Sequence, residues 1–417
     1  MRVFLATLGC RANQYDTECV RAMLLAGGCE VTKSVSEADA AIFNSCAVTS
    51  EAEADLRQRV RRAARTNPRL QTVVMGCAAS LDRGAIRGLP TVKHVIAGAD
   101  LDQVAAALDL PPSVSTTRAR SQMGTRALLR IQDGCDEHCT FCATTIARGR
   151  NRSRPQSDLL KEALELAENH AEIVITGVHI GSYGRDSGSS LGQLMAALVV
   201  HASQARFRLT SIEATELDGQ LRELLTDGGC LAPHLHAPLQ SGSDRVLRRM
   251  GRHWYTARSY AAAVERIVAH AGPFGLGADV ITGFPGETEA DHAATRSLIH
   301  SLPFTYLHVF QYSERPGTPA SRLDDQVARE TAGRRSAELR QDAGRLSAAY
   351  MRRRCGQPAD VIVIGSPSPN PAAGRPREAL TEDFLTVEPA DSCQPRGTRF
   401  RARLECNGAT LLAHALP

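Results

Sequence analysis

Lysine is nearly missing from this chain. Lys33, Lys93 and Lys161 are its only lysines, and arginine supplies the rest of the 49 basic residues, which against 45 acidic ones leave a net charge of +4. So weak a basic balance excludes neither nucleic acid nor protein as a partner. Arginine offers bidentate donors to phosphate and a plane that stacks on bases, although a GC-rich coding sequence alone produces the same bias. No uninterrupted apolar stretch is long enough to span a bilayer, and segment 1–10 is too short for a signal sequence with its cleavage site. The expectation is a cytoplasmic protein, where clustered cysteines mean metal or catalysis rather than disulfides. Segment 283–288 superficially suggests a phosphate loop but lacks the required lysine. His234 and His236 share one face of a strand without a third ligand, which favours a polar layer inside a barrel over a metal pair. The cysteines also lack the paired short spacings of a four-ligand zinc site.

What the cysteines do have is Cys135-x3-Cys139-x2-Cys142. Three thiolates at this spacing can hold three irons of a cubic iron–sulfur cluster and leave the fourth open to a small molecule, since such clusters are held by thiolates. His138 lies inside the run and reads as an exposed loop histidine. A second set, Cys10, Cys46 and Cys77, follows three expected strands, in the contexts Leu8-Gly9-Cys10, Asn44-Ser45-Cys46 and Met75-Gly76-Cys77. The carboxyl ends of parallel strands share one sheet edge, so these thiols can converge there. The small residues before each cysteine are expected to let the backbone approach a bulky cofactor. Cys19, Cys29, Cys230, Cys355, Cys393 and Cys406 show no such grouping.

Hydrophobic periodicity alternates strand and helix from the start. Strands are expected at 3–8, 40–43, 72–75 and 92–97, with helices at 17–26, 54–64 and 101–108. This is a doubly wound parallel-sheet unit over 1–110. Segment 111–125, rich in Ser, Thr and Arg, is a linker. Repeated β–α units over 126–354 predict a partial (β/α) TIM-like barrel, whose chemistry sits at the C-terminal strand ends. Short β segments over 355–417, with turns at Pro367, Pro369 and Pro371, predict a small OB-like β-barrel.

Cys135, Cys139 and Cys142, with Phe141 before the last, make the chain resemble the radical S-adenosylmethionine (SAM) superfamily. Segment 147–155 and the Cys10, Cys46, Cys77 set with Asn13 resemble its methylthiotransferases. Segments 176–184, 235–244, 249–253 and 315–319 are most similar to the branch acting on C2 of N6-threonylcarbamoyladenosine at tRNA position 37, and the tail resembles the TRAM domain. The chain departs from the family pattern at Thr145, Ala78, Ser80 and Trp254. The resemblance implies two [4Fe-4S] clusters and SAM as cofactors. Cys135, Cys139 and Cys142 would hold the cluster that cleaves SAM. Cys10, Cys46 and Cys77 would hold the one that carries sulfur. It also implies a sulfur donor and an electron donor such as flavodoxin or ferredoxin.

Candidate SAM contacts are Phe141, Gly177, Glu213, Gln240 and Val280, with Gly177 letting the backbone approach the methionyl group and Glu213 accepting from ribose hydroxyls. Arg148, Arg150, Arg152 and Arg154 recur at every second residue, and an extended segment would line them on one face as a cradle for a tRNA anticodon stem-loop. Arg399, Arg401 and Arg403 repeat the pattern in the tail. Two alternatives keep the chemistry and change the substrate: isopentenyladenosine-37 in tRNA, or an aspartate of a ribosomal protein. The basic stripes favour RNA over a basic protein of like charge. A non-enzymatic iron–sulfur electron-transfer or RNA-binding protein would not cleave SAM.

Overall fold

The computed structural model describes residues 1–47, 49–116, 122–365, 377–391 and 394–417. Pro367, Pro369, Pro371, Cys393 and part of the expected linker lie outside the described residues. The first unit is β1 (Arg2–Thr7), α1 (Arg11–Ala26), β2 (Glu30–Thr32), β3 (Ala40–Ser45), α2 (Ser50–Thr66), β4 (Gln71–Gly76), α3 (Cys77–Ser80), β5 (Val92–Ala97) and α4 (Leu101–Ala107). Its strands form one parallel sheet in the order β2-β1-β3-β4-β5. Every residue of β3, the central strand, is buried, as a strand covered on both faces requires. Local chemistry sets the bounds of α2. Thr49 caps its first turn by accepting from the Ala52 amide, Glu51 and Glu53 sit at the positive end of the helix dipole and Arg65 at the negative end.

The central unit continues with β6 (Ala127–Arg130), β7 (Gln132–Asp133), α5 (Thr144–Arg148), β8 (Arg152–Ser153), α6 (Gln156–Ala167), β9 (Glu172–Thr176), α7 (Leu191–His201), β10 (Arg206–Leu209), α8 (Gly219–Thr226) and β11 (His234–His236). It closes with α9 (Asp244–Arg249), α10 (Ala257–Val268), β12 (Gly275–Thr282), α11 (Glu289–Ser301), β13 (Tyr306–Gln311) and the long α12 (Arg329–Arg354). Parallel sheets β6-β9-β10 and β11-β12-β13 join through bridges from Phe207 to Leu231 and Ser211 to His236. The result is a half-barrel, open between β6 and β13. Its outward side chains, such as Leu129, Ile173, Ile175 and Phe207, pack under the surrounding helices in one core. Helix α1 of the first unit covers the inner side, with Tyr15 and Cys19 on Leu128 and Val174.

The last unit is β14 (Pro358–Val363), β15 (Ala379–Thr381), β16 (Thr386–Pro389), β17 (Arg399–Asn407) and β18 (Thr410–Ala415), closed in the order β14-β15-β16-β18-β17. The turn between β15 and β16 enters the half-barrel from below, where Phe384 stacks on His234 at 4.4 Å. Arg206 and Arg208 hold the two units together by donating to the carbonyls of Asp360 (2.6 Å), Thr381 (2.9 Å) and Glu382 (2.9 Å). Cys355 and Cys406, expected to be ungrouped, are brought together with their sulfurs in bonding contact. Strand β17 returns past the end of α12, which puts their Cα atoms 5.5 Å apart. Among the described residues no helix is long and apolar enough to cross a membrane.

Candidate active site

The run Cys135–Cys142 begins on a turn anchored from several directions. Gln132 at the end of β6–β7 accepts from the amides of Val178 (3.0 Å) and His179 (2.9 Å) and donates to Asn151 Oδ1 at 2.7 Å. The Cys135 amide donates to the Gly149 carbonyl at 3.0 Å. Further along, Thr140 donates from its amide to the Met250 carbonyl (2.8 Å) and from its hydroxyl to the Arg249 carbonyl (2.9 Å), so the loop sits on the end of α9. Gly251 lies under it with φ of +75°, where a Cβ would come within 2.7 Å of the His138 carbonyl. Each thiol meets a polar neighbour. His179 Nδ1 is 3.7 Å from Cys135 Sγ, Arg252 donates to Cys139 at 3.4 Å, and the Thr144 amide donates to Cys142 at 3.4 Å. His138 is exposed.

These neighbours are themselves braced. His179 Nε2 pairs with Glu216 at 2.9 Å. Burial works against its imidazolium, but Cys135 and Glu216 outweigh it and lift His179 to about 10. Arg252 donates to Glu213 and, at 2.9 Å, to the Tyr255 hydroxyl, and lies over the Trp254 ring at 4.8 Å. Burial pushes the Cys139 thiol up to about 12 against the pull of Arg252. A thiol kept neutral by burial becomes a thiolate when it binds metal, and donors to sulfur then stabilise the charge.

The second thiol set converges at the carboxyl edge of the first sheet. Asn13 Oδ1 is 3.3 Å from Cys10 Sγ and 4.0 Å from Cys77 Sγ. The Asn13 amide nitrogen donates to Asn44 Oδ1 at 3.0 Å and to the Ser45 carbonyl at 2.7 Å, which fixes it beside Cys46. Close packing of the strand ends constrains the glycines here. A Cβ on Gly9 would lie 2.7 Å from Cys46 Cβ, and one on Gly76 would lie 2.4 Å from Asn44 Oδ1. They are small because neighbouring strand ends crowd them. The same holds at Gly177, whose Cβ would meet the Gln132 carbonyl and Oε1 at 2.9 Å each. A side chain on this residue would displace Gln132, which braces the cysteine loop.

Arg148 joins the two sets. It donates to Cys77 Sγ at 3.3 Å, Asn13 Oδ1 at 3.0 Å, Asp16 Oδ2 at 2.9 Å and Asp133 Oδ1 at 3.3 Å. Helix α5, which follows Cys142 directly, packs on α3, which begins with Cys77. The expected basic stripe is corrected accordingly. Residues Thr144–Arg148 are helical, and Arg148 turns inward with a side chain only 3% exposed. Arg154 also turns in, to Tyr15 (3.0 Å) and Glu162 (2.6 Å), leaving Arg150 and Arg152 in solvent. In the tail Arg399 is bound to Asp360 at 2.7 Å, while Arg401 and Arg403 are exposed on β17.

The other candidate SAM residues fall around the strand ends. Phe141 packs edge-on to Phe284 at 6.4 Å. Gln240 has φ of +60° and bridges through its backbone to Val280, which is fully buried. Glu213 is buried, its Oε2 has no partner among the described residues, and burial raises its pKa against Arg252. An orphaned buried carboxylate oxygen next to Cys139 fits a bound donor such as a ribose hydroxyl. Sequence reasoning assigned no role to Arg252, His179 or Glu216, although two of the motif segments carry the first two.

The model for the Radical SAM superfamily matches residues 129–299, and that for Uncharacterized protein family UPF0004 matches residues 2–98. A protein named threonylcarbamoyladenosine tRNA methylthiotransferase from Thermotoga maritima is 34% identical over 376 residues, covering 86% of each chain. The chain belongs to the radical SAM tRNA methylthiotransferases. A relative of the same name from Rickettsia prowazekii is 33% identical and covers 97% of this chain and 95% of its own. A tRNA-2-methylthio-N(6)-dimethylallyladenosine synthase from Frankia casuarinae is 34% identical over 94% of this chain and 78% of its own. Among solved structures, the radical SAM methyltransferase TsrM from Kitasatospora setae has a TM-score of 0.58 at 14% identity, covering 76% of both chains, a likeness of fold.

As a radical SAM methylthiotransferase the chain is a transferase, and its cofactors are [4Fe-4S] clusters and SAM. Together these supply one-electron chemistry able to open a C–H bond that has no useful acidity. The protein's own part is positional. Glu213 and Arg252 form a buried pair beside one thiol, and Arg148 holds the two thiol sets in a fixed relation. Replacing Arg252 by Met is expected to slow 5′-deoxyadenosine formation by about 10–100-fold, the loss of one charged hydrogen bond to a buried partner. Arg252→Lys, which keeps the charge without the fork, is expected to fall between. Equal rates in all three enzymes would refute the role.

Proposed function

We propose that the enzyme installs a methylthio group on C2 of N6-threonylcarbamoyladenosine at position 37 of tRNA. Cys135, Cys139 and Cys142 hold the cluster at which SAM is opened, and Cys10, Cys46 and Cys77 hold the cluster that carries the sulfur. The single observation behind this division is Arg148, which contacts Cys77 from the helix that follows Cys142. One target base held between the two sets has access to both. The choice of base rests on the names of the relatives from Thermotoga and Rickettsia. Exposed Arg150, Arg152, Arg401 and Arg403 are the arginines available to the anticodon stem-loop backbone. The functional units are 1–110, 126–354 and 355–417, joined by 111–125. The enzyme works in the cytoplasm with a flavodoxin- or ferredoxin-type reductant and a separate sulfur donor.

Nucleoside mass spectrometry of tRNA from a deletion strain tests the substrate. Loss of the 2-methylthio form of threonylcarbamoyladenosine is expected. Loss of the 2-methylthio form of isopentenyladenosine instead would establish the reading that the Frankia relative favours. Cys10→Ala tests the division of labour, with 5′-deoxyadenosine formation expected to persist and methylthiolation to disappear. Iron in the reconstituted wild type is expected at about eight per chain, and about four in the variant. A Cys10→Ala enzyme that still methylthiolates sinks the assignment.

A further inference from the structure

A cleft of 360 Å³ lies between α1, the inner side of β6 and β9, and the C-terminal barrel. Its walls are polar and cationic, with Arg11, Arg126 and Arg396 against Glu18. Glu18 is already engaged by Arg21 at 2.8 Å and by the Met123 amide at 3.1 Å. Arg126 is paired with Glu172 at 3.3 Å. Arg396 donates to neutral oxygens of Thr125 and Met123. Arg11 differs from all of them, because among the described residues its side chain has no hydrogen bond and no ion pair.

Its electrostatic surroundings sharpen the point. Burial works against the charge of Arg11, and so do Arg126 and Arg208, like in sign, with Glu172 opposing them. Glu172 is shared by Arg126, Arg206 and Arg208. Arg11 therefore competes with three other guanidiniums for Glu172, and Asp360, which Arg206 also meets, is bound by Arg399. A part-buried guanidinium with no ion pair among the described residues gains from an anion that completes it. The side chain also starts one residue after Cys10, in the proposed sulfur-bearing set. Across the half-barrel stand more polar groups, with His236 at 3.0 Å from the Tyr306 hydroxyl and 3.0 Å from Asp279, which also meets His308 at 3.3 Å. The cleft's own lining, with Thr7, Gln14, Thr17, Gln122 and Thr125 beside the arginines, suits a polar substituent and penalises an apolar one of similar size.

We propose that Arg11 binds the carboxylate of the amino-acid substituent on the target adenosine, and so selects a threonylcarbamoyl base over an isopentenyl one. This rests on the substrate reading given above. The cleft takes a side-chain-sized anion. The volume of 360 Å³ suits a single substituent better than a backbone phosphate with its two riboses. With the base edge at the two thiol sets, the substituent on N6 extends along α1 into the cleft, where the side chain of Arg11 has no hydrogen-bonded partner among the described residues.

The test compares wild type, Arg11→Gln and Arg11→Lys, each reconstituted and checked for iron content and for substrate-free reductive cleavage of SAM. The substrates are anticodon stem-loops carrying threonylcarbamoyladenosine, its carboxamide analogue, or unmodified adenosine. For the natural base, Arg11→Gln is expected to raise KM about 10–100-fold, with Arg11→Lys between. The carboxamide is expected to cost the wild type a similar factor and Arg11→Gln nothing further. Binding of the unmodified stem-loop is expected to be equal in all three enzymes. A wild-type KM in Arg11→Gln overturns the proposal. So does an equal loss of affinity for the unmodified stem-loop, which would make Arg11 a backbone contact. A variant that takes up less iron than wild type at matched SAM cleavage also overturns it, in favour of a structural role beside Cys10. Failure of the wild type on the natural base overturns the substrate reading itself.

Discussion

Arg148→Met is expected to abolish methylthiolation while leaving reductive cleavage of SAM in place. Among the described residues the side chain has no hydrogen bond to Cys135, Cys139 or Cys142, yet it donates to Cys77, Asn13, Asp16 and Asp133. Burial opposes its charge, but Asp16, Cys77 and Asp133 together raise its pKa, so it stays a cation at any working pH. Removing it leaves Asp16, 1% exposed, with Arg130 alone. Breaking a buried pair from one side costs about 3–5 kcal/mol, and the retained Arg130 contact puts this case near the lower end. That free energy holds α5 against α3, so its loss separates the two thiol sets before it unfolds either unit. The methylthiolated product is expected to fall by at least about 100-fold, against a change of less than about threefold in 5′-deoxyadenosine. Arg148→Lys tests the geometry, since a point charge cannot reach Cys77, Asn13 and Asp16 together. Parallel loss of both activities would mean that Arg148 supports the SAM-cleaving loop instead.

The inward turn of Arg148 also marks where the sequence stops being legible. Its spacing with Arg150, Arg152 and Arg154 looks like an exposed strand, because period two is all that a local reading can see. The deciding partner is Asp16, 132 residues away. Cys139 and Arg252 are 113 residues apart, and Cys135 and His179 are 44. Each bond lies inside a motif that was visible, between motifs that nothing local connects. The start of α1 was hidden for another reason. Cys10 occupies the capping position without a side-chain cap, and no acidic residue marks the first turn, so the expected helix began at residue 17 rather than at Arg11. By contrast α7 and α11 carry local start signals, since Ser190 with Gln193 and Thr288 with Asp291 form capping boxes. The strand-end cysteines were legible because a parallel sheet gathers its carboxyl ends whatever the exact register.

Glu172→Ala is expected to carry the largest stability loss. Its carboxylate is fully buried and receives Arg206 Nε at 2.6 Å, Arg208 Nε and Nη2 at 3.0 Å each, and Arg126 Nη1 at 3.3 Å. Arg206 and Arg208 are the same side chains that bind the C-terminal barrel through Asp360, Thr381 and Glu382. Without Glu172 they are buried cations at the base of the half-barrel, at a cost of about 3–5 kcal/mol, and the C-terminal barrel is the part free to move away and let water reach them. Faster proteolysis and amide exchange are therefore expected in β14 and β15 while the first unit keeps its protection. The pH dependence separates this from a simple cavity. Burial alone would push Glu172 up, but Arg208 and Arg206 hold it well below the usual carboxylate range. A carboxyl depressed in the folded state stabilises fully above its unfolded pKa of about 4.3, and that stability is lost as pH falls through the folded value. The wild-type advantage over Glu172→Ala should thus be flat from pH 7 to about pH 5 and shrink on further acidification. An advantage that instead grows below pH 5 would mean the carboxyl is protonated in the folded protein, and that the arginines are held by the C-terminal carbonyls and Asp360.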